Sequence, residues 1–281
     1  MQARALPYLL LLPATVFLAL FFLYPFFQVA IESVTNEEGL TFEHFGTMAG
    51  HWKFNSALWN TFLLAMVAVP IQIGLSLFMA SIVTKMNTGR DVILYIWTIP
   101  LGISDLAAGI IWLAILEQNG FFNSLFVGLG LMEQPATILG YQNKWLLFMA
   151  VVLAEVWRAT AIVLVILVAG MGLIPKEYNE AAEVFGASPW KRFYKVTLPL
   201  LRPSLQTALI LRTILAFEVF AVVAALAGTN LPVLMGETYN WQFALQDRKV
   251  AAAYAMVILG ISIAFTVFFL WALRVPKEAQ T

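Results

Sequence analysis

Apolar residues in this chain are gathered into six long stretches separated by short polar breaks. They cover approximately residues 6–31, 57–83, 92–116, 145–173, 205–227 and 250–273. Each is long enough as a helix to cross a hydrocarbon layer about 30 Å thick, some of them with tilt. None shows the two-residue alternation of an outer-membrane barrel strand. Helices are then the remaining way to satisfy backbone polar groups in lipid. The pattern predicts an all-α, polytopic membrane protein with six transmembrane helices.

Composition agrees. Of 281 residues, 61% are hydrophobic and 11% charged, against roughly 45–50% and about 25% in a soluble domain. The formal charge of zero argues against a uniformly basic nucleic-acid binder. The absence of cysteine excludes disulfide scaffolds and thiolate metal sites. The first stretch follows Arg4 and resembles a secretory signal. However, its apolar run exceeds a signal core and no small-x-small cleavage site follows it, so it reads as a retained helix that Tyr24 and Pro25 interrupt near its end.

Charge sorting sets the expected orientation. With a cytoplasmic N-terminus, the inner segments hold Arg4, Lys85, Arg90, Lys176, Lys191, Arg192, Lys195, Arg202, Arg274 and Lys277. The outer ones hold only Lys53, Lys144, Arg248 and Lys249. The positive-inside rule then places both termini in the cytoplasm. Two outer loops, 121–143 and 231–249, mix apolar, Gly, Pro and aromatic residues. Either they lie on the membrane with anchors such as Tyr141 and Trp241, or they form a docking or partly re-entrant surface.

Enzyme motifs are missing. There is no G-x-x-x-x-G-K-[ST], no H-E-x-x-H and no G-x-S-x-G. The two histidines, His44 and His51, read as plain loop residues. No covalent chemistry is expected of the chain.

The most charged inner loop, 174–204, reads as helix, glycine break and second helix. Pro175 is placed to open the first helix at its first position, and Gly186 to end it in a left-handed cap. Ser188 and Pro189 restart it, and Leu198, Pro199 and Pro203 close the unit. Tyr178, Ala181, Ala182 and Phe185 share one side, where the two alanines keep the surface low enough for close approach. An interfacial helix pair on an anionic leaflet is the plainer reading. A small-residue notch suits a protein partner better than lipid.

Here the chain resembles a known family. Glu180-Ala181-Ala182, Gly186 and then Val196-x-Leu198-Pro199 fill every position of the EAA signature of permease subunits of binding-protein-dependent ABC importers. Leu10-Leu11-Leu12-Pro13 to Tyr24-Pro25, Trp59-Asn60-Thr61 to Val69-Pro70, and Pro100 to Trp112 with Gly120 and Asn123 resemble the first three spans of sugar permeases of the maltose, trehalose and glycerol-phosphate branch. One departure stands out. The family often has T-G-G-G-P after its fifth span, where this chain has Ala227-Gly228-Thr229-Asn230-Leu231-Pro232.

The resemblance implies a single permease domain over residues 1–281 of a prokaryotic plasma-membrane importer. A second, homologous permease subunit would complete the pathway as a heterodimer. Two cytoplasmic ATPase subunits would bind the ATP and magnesium, leaving this chain no cofactor of its own. An extracytoplasmic binding protein or lipoprotein would deliver the solute, and no nucleic acid is involved. Glu180, Ala181, Ala182, Phe185, Gly186, Pro189, Leu198 and Pro199 would couple the ATPase to the spans.

Asp105, Glu155, Arg158, Arg212 and Glu218 lie inside spans, where charge is costly and marks function by default. Either the two arginines pair with Glu155 and Glu218 across the fourth and fifth spans, or some of these groups meet a polar solute. By resemblance, positions around Arg158 and Ile162, and around Arg212, Ala216 and Val219, line the sugar site in maltose-type permeases, although the residue types are not kept. A di- or oligosaccharide is the expected solute. Glycerol phosphate is the alternative, and an ion-coupled secondary carrier using Asp105, Glu155 or Glu218 is the alternative of another class.

Overall fold

The structure, a computed structural model, describes residues 2–274, with side chains from Tyr8 onward. Lys277 and the Arg4 side chain, both used in the charge sorting, lie outside the described residues.

Helix dominates. In chain order, α1 (Gln2–Leu18) runs through a π-turn (Ala19–Leu23) into α2 (Tyr24–Ser33), and a two-residue-strand hairpin, β1 (Thr35–Asn36) and β2 (Gly39–Leu40), leads to α3 (Glu43–Gly50). Then follow α4 (Phe54–Val83), α5 (Arg90–Thr98), α6 (Asp105–Leu116), α7 (Phe121–Gly128) and α8 (Lys144–Gly172). The inner-loop elements are α9 (Lys176–Val184), α10 (Pro189–Arg192) and α11 (Leu198–Leu200), before α12 (Arg202–Phe217), α13 (Ala221–Leu226), α14 (Leu234–Tyr239) and α15 (Arg248–Ala272). Among the described residues, five helical stretches are long and apolar enough to span, at Tyr8–Ser33, Phe54–Val83, Asp105–Gly128, Tyr141–Gly172 and Arg248–Ala272. A sixth candidate is the pair Pro189–Leu200 and Arg202–Phe217, bent by 70°.

Three expected features differ. Tyr24 and Pro25 do not interrupt the first helix. The ring of Pro25 removes one donor, and the preceding turn widens, with the Tyr24 N–H donating to the Ala19 carbonyl. The third span is not continuous over 92–116. Pro100 and Gly102 lie in a tight turn, Ile99–Gly102, and a new helix starts at Asp105, capped by Ser104, whose Oγ accepts from the Ala107 N–H at 3.2 Å. The fifth span breaks after Phe217 and resumes at Ala221.

By packing, the chain forms two compact units. One comprises Met1–Asn55 with Leu234–Leu259, the other Ser56–Val233 with Gly260–Thr281. In the first, His44 is buried and its Nε2 lies 3.0 Å from the Thr35 carbonyl, tying α3 to the hairpin. Glu237 is buried beside His51 Nδ1 at 4.0 Å and Lys53 Nζ at 3.7 Å. Trp241 packs edge-on to His51 at 5.3 Å rather than projecting as a membrane anchor; Tyr141 is exposed. The histidines are thus structural contacts, not free loop residues.

In the second unit, Leu64, Ala68, Val151, Val152, Val222 and Leu226 lie in one core that α4, α8 and α13 build. Here α6 and α13 meet at Gly109. A Cβ there would lie 2.6 Å from Ala225 Cβ and 3.2 Å from Val222 Cα. Gly109→Val therefore forces the helices apart, at about 1–3 kcal/mol. A lower thermal unfolding midpoint is expected, and an unchanged midpoint would show that the two helices do not press together.

Candidate functional site

In the second unit the buried Arg212 and Glu155 join the more open Arg158 and Asp105 in one connected network. On α12, Arg212 is 1% exposed, and its Nε donates to Gln72 Oε1 on α4 at 2.6 Å. Its Nη2 donates to Glu155 Oε2 on α8 at 2.7 Å. Gln72 Nε2 in turn donates to the Glu155 carbonyl at 3.0 Å. One turn along α8, Arg158 reaches Glu155 at 3.4 Å and Asp105 Oδ1 at 2.8 Å. Two arginines thus meet two carboxylates with no net charge, and the Gln72 amide fixes the geometry. Charged hydrogen bonds of this length in a low-dielectric setting are strong, and an unpaired member is costly.

Local structure sets each partner. Glu155 and Arg158 are three apart on α8 and share a face. Asp105 opens α6, where the positive end of the helix favours a carboxylate. That position exists only because the third span breaks at Ile99–Gly102. Of the expected pairs, Glu155–Arg212 across the fourth and fifth spans is present. Glu218 is not in the network. It is exposed, follows the last residue of α12 and forms no ion pair among the described residues. At ~100° per residue it could not have shared a face with Arg212 six positions earlier. Gln72 and Asp105 stand where Glu218 was expected.

The remaining expected pathway residues divide. Ile162 is half-buried one turn from Arg158, whereas Ala216 and Val219 are buried, Val219 within the apolar core. Donors are left over: Arg212 Nη1, Arg158 Nε and Trp112 Nε1 are buried without a hydrogen-bond partner. Farther along, the stretch that departs from T-G-G-G-P forms a tight turn at Gly228–Asn230, and Asn60 Nδ2 donates to the Pro232 carbonyl at 2.9 Å.

The 174–204 loop is the second site. Pro175 precedes α9 rather than occupying its first position. At the other end, Gly186 has φ +75°, its N–H donates to the Glu183 carbonyl at 2.8 Å, and the Ala187 N–H donates to the Ala182 carbonyl at 2.9 Å. This is a Schellman cap, closed by a left-handed glycine. Ser188 Oγ then accepts from the Lys191 N–H, with Pro189 first in α10. Arg192 Nη1 donates to Glu183 Oε2 at 2.6 Å and fastens the two helices together. Along α9, Tyr178, Glu180, Ala181 and Val184 are exposed, as is Phe185 at 89%; Ala182 is half-buried. Leu198 is half-buried and Pro199 exposed. At the foot of the loop, a Cβ on Gly170 would collide with Ser204, so the end of α8 presses on the start of α12.

Gly186→Val tests the cap. A β-branched residue in this conformation costs roughly 1–2 kcal/mol. The Gly186 and Ala187 amides should exchange hydrogen faster while membrane insertion stays at wild-type level. Unchanged exchange would mean the cap does not hold the loop.

Long apolar helices enclose the charge network, and an exposed helix pair lies between two of them. Residues 45–278 match the family described as binding-protein-dependent transport system inner membrane component, and the chain belongs to that family. It is a family of multi-pass inner-membrane permeases, not of enzymes. Similar curated proteins carry sugar-type permease names. The sulfoquinovosyl glycerol transport system permease protein SmoG of Agrobacterium fabrum is 30% identical, covering 96% of this chain and 91% of that protein. The trehalose/maltose transport system permease protein MalF of Thermococcus litoralis is 32% identical over 75% of this chain and 72% of its own length. The sn-glycerol-3-phosphate transport system permease protein UgpA of Yersinia pseudotuberculosis is 29% identical over 93% and 92%. In fold, the chain is similar to a subunit in the crystal structure of a bacterial alginate ABC transporter in complex with an alginate pentasaccharide-bound periplasmic protein. The TM-score is 0.84 at 20% identity, covering 97% of this chain and 95% of that one.

Proposed function

We propose that this chain is one of two permease subunits of an ATP-driven importer for a neutral di- or oligosaccharide, of the trehalose or maltose type. The observation that carries the solute class is the self-neutralised network. Asp105 and Glu155 balance Arg158 and Arg212, so no charge is left to recruit an anion. The unspent N–H groups of Arg158, Arg212 and Trp112 are the kind of donors that hydroxyl oxygens accept from. Asp105, whose side chain is half-exposed, and Arg158 form the more open edge of the network. A solute entering beside Ile162 meets these two first. Glycerol phosphate is the second reading, favoured by the glycerol-3-phosphate relative. Membership of a binding-protein-dependent transport family supports the ATP-driven reading over an ion-coupled carrier.

In this reading the 174–204 loop docks an ATPase subunit, with Ala181 and Phe185 at the contact and Gly186 setting the angle between its helices. ATP and magnesium bind the ATPase subunits. A second, homologous permease completes the path, and an extracytoplasmic binding protein or lipoprotein supplies the sugar. Both termini then face the cytoplasm, in agreement with the charge sorting.

The test is uptake into vesicles by the reconstituted complex. ATP-dependent accumulation of a neutral oligosaccharide, insensitive to glycerol phosphate and to collapse of the proton gradient, is expected. Uptake of glycerol phosphate in its place would overturn the solute class. Uptake driven by an ion gradient without ATP would overturn the mechanism.

A further inference from the structure

Beside the 174–204 loop lies a cleft of about 630 Å³, separate from the charge network and bordered by Glu180 and Pro189 of the coupling loop. Its walls come from the ends of α4 and α8, the start of α5, and the inner sides of α9 and α10. Four cations line it, Lys85, Arg90, Lys176 and Arg192, against two carboxylates, Glu180 and Glu183. Glu183 is already bound to Arg192 at 2.6 Å. Among the described residues, Lys85, Arg90 and Lys176 form no ion pair, which leaves the cleft with an excess of positive charge. Met171 and Phe193 add apolar wall beside the cations.

Position narrows the ligand. The apolar helices α4 and α8 end here, so the cleft sits where a hydrocarbon layer gives way to headgroups. Its volume is that of a small-ligand site. Guanidinium and ammonium groups lining one cleft beside apolar surface suit a phosphate whose remainder is greasy or small.

We propose that the cleft binds a phosphate group, supplied by an anionic phospholipid headgroup or by a free phosphate in the cytoplasm. Bound there, the anion bridges α4 and α5 to the coupling helices, and membrane composition then tunes how firmly the loop is held. The proposal goes beyond the transport reading. It needs α4 and α8 to cross the membrane, but neither the identity of the sugar nor the docking face of α9.

The test uses the assembled transporter in phosphatidylcholine nanodiscs doped with phosphatidylglycerol, with retained lipid counted by native mass spectrometry. The wild type should hold one phosphatidylglycerol more per copy of this chain than Lys85→Gln/Arg90→Gln, whose retention should fall ~10-fold or more. Arg90→Lys, which keeps the charge, should retain it and shows that loss is not misfolding. In a second arm, inorganic phosphate is added in pure phosphatidylcholine. A rise in the wild-type unfolding midpoint, absent in the double variant and without phosphatidylglycerol retention, assigns the site to a free anion. Equal retention in wild type and double variant with no phosphate effect overturns the proposal. So does retention of phosphatidylglycerol only by the chain stripped of ATPase subunits, which would make the cleft a partner's seat.

Discussion

Glu155→Gln is expected to remove most folded protein from the membrane. Glu155 is 3% exposed, and its carboxylate accepts from Arg212, itself 1% exposed, at 2.7 Å. Without it, two arginines face only Asp105. Breaking a buried pair from one side costs about 3–5 kcal/mol, because the other charge stays buried and unpaired. Adding Arg212→Met removes the orphaned guanidinium and leaves Asp105 and Arg158 as a neutral pair, so the double variant should recover much of the loss. Glu218→Gln is the control. The residue is exposed and outside the network, and the variant should stay within about 0.5 kcal/mol of wild type. Thermal unfolding of detergent-extracted chain reads all three. Additive losses in the double variant would mean that the pairing carries no stability.

Ala181→Trp is expected to abolish coupling while leaving the chain folded. Ala181 is exposed on α9, between Tyr178 and Phe185. An indole there meets solvent within this chain, so any large effect must arise in a partner's cleft, where overpacking blocks seating. Ala182 is the poorer position. It is half-buried, its carbonyl closes the Schellman cap, and widening it disturbs the loop as well as the contact. In the reconstituted complex, ATP hydrolysis should no longer rise on adding sugar-loaded binding protein, a loss of 10-fold or more, equivalent to roughly 1.4 kcal/mol of coupling. Sugar binding by the binding protein itself should be unchanged. Full stimulation would remove α9 from the coupling route.

Much of this architecture is legible along the chain because lipid imposes simple demands. Helix placement follows from apolar length, and the loop's caps follow from Gly186, Ser188 and Pro189, whose backbone preferences act locally. What the pattern hides is interruption inside an apolar run. Pro100 breaks the third span whereas Pro70 leaves α4 continuous; the difference lies in Gly102 and the capping Ser104 that follow Pro100, small signals within an apolar run. That break in turn makes Asp105 a helix-opening carboxylate within reach of Arg158. Similarly, Gln72 was inconspicuous as an uncharged residue, although an amide in an apolar span must find a partner, and this one finds two, Arg212 and the Glu155 backbone. Glu218 belongs to the same apolar stretch as Arg212 but lies outside the network. Angular position decides whether two residues on one helix face a common neighbour. The His51–Glu237 contact joins residues 186 positions apart and leaves no local trace.

The absence of cysteine allows a direct test of the central claim, that the 174–204 loop seats an ATPase subunit. A single Ala181→Cys, labelled with a thiol-reactive photo-crosslinker, has no competing thiol in this chain. In the assembled complex it should cross-link to the ATPase subunit, and ATP binding should change the yield. The same label at Leu40→Cys, exposed in the β1–β2 hairpin, should give no such product. Failure of Ala181→Cys to capture the ATPase subunit, or capture from Leu40→Cys instead, would contradict the account.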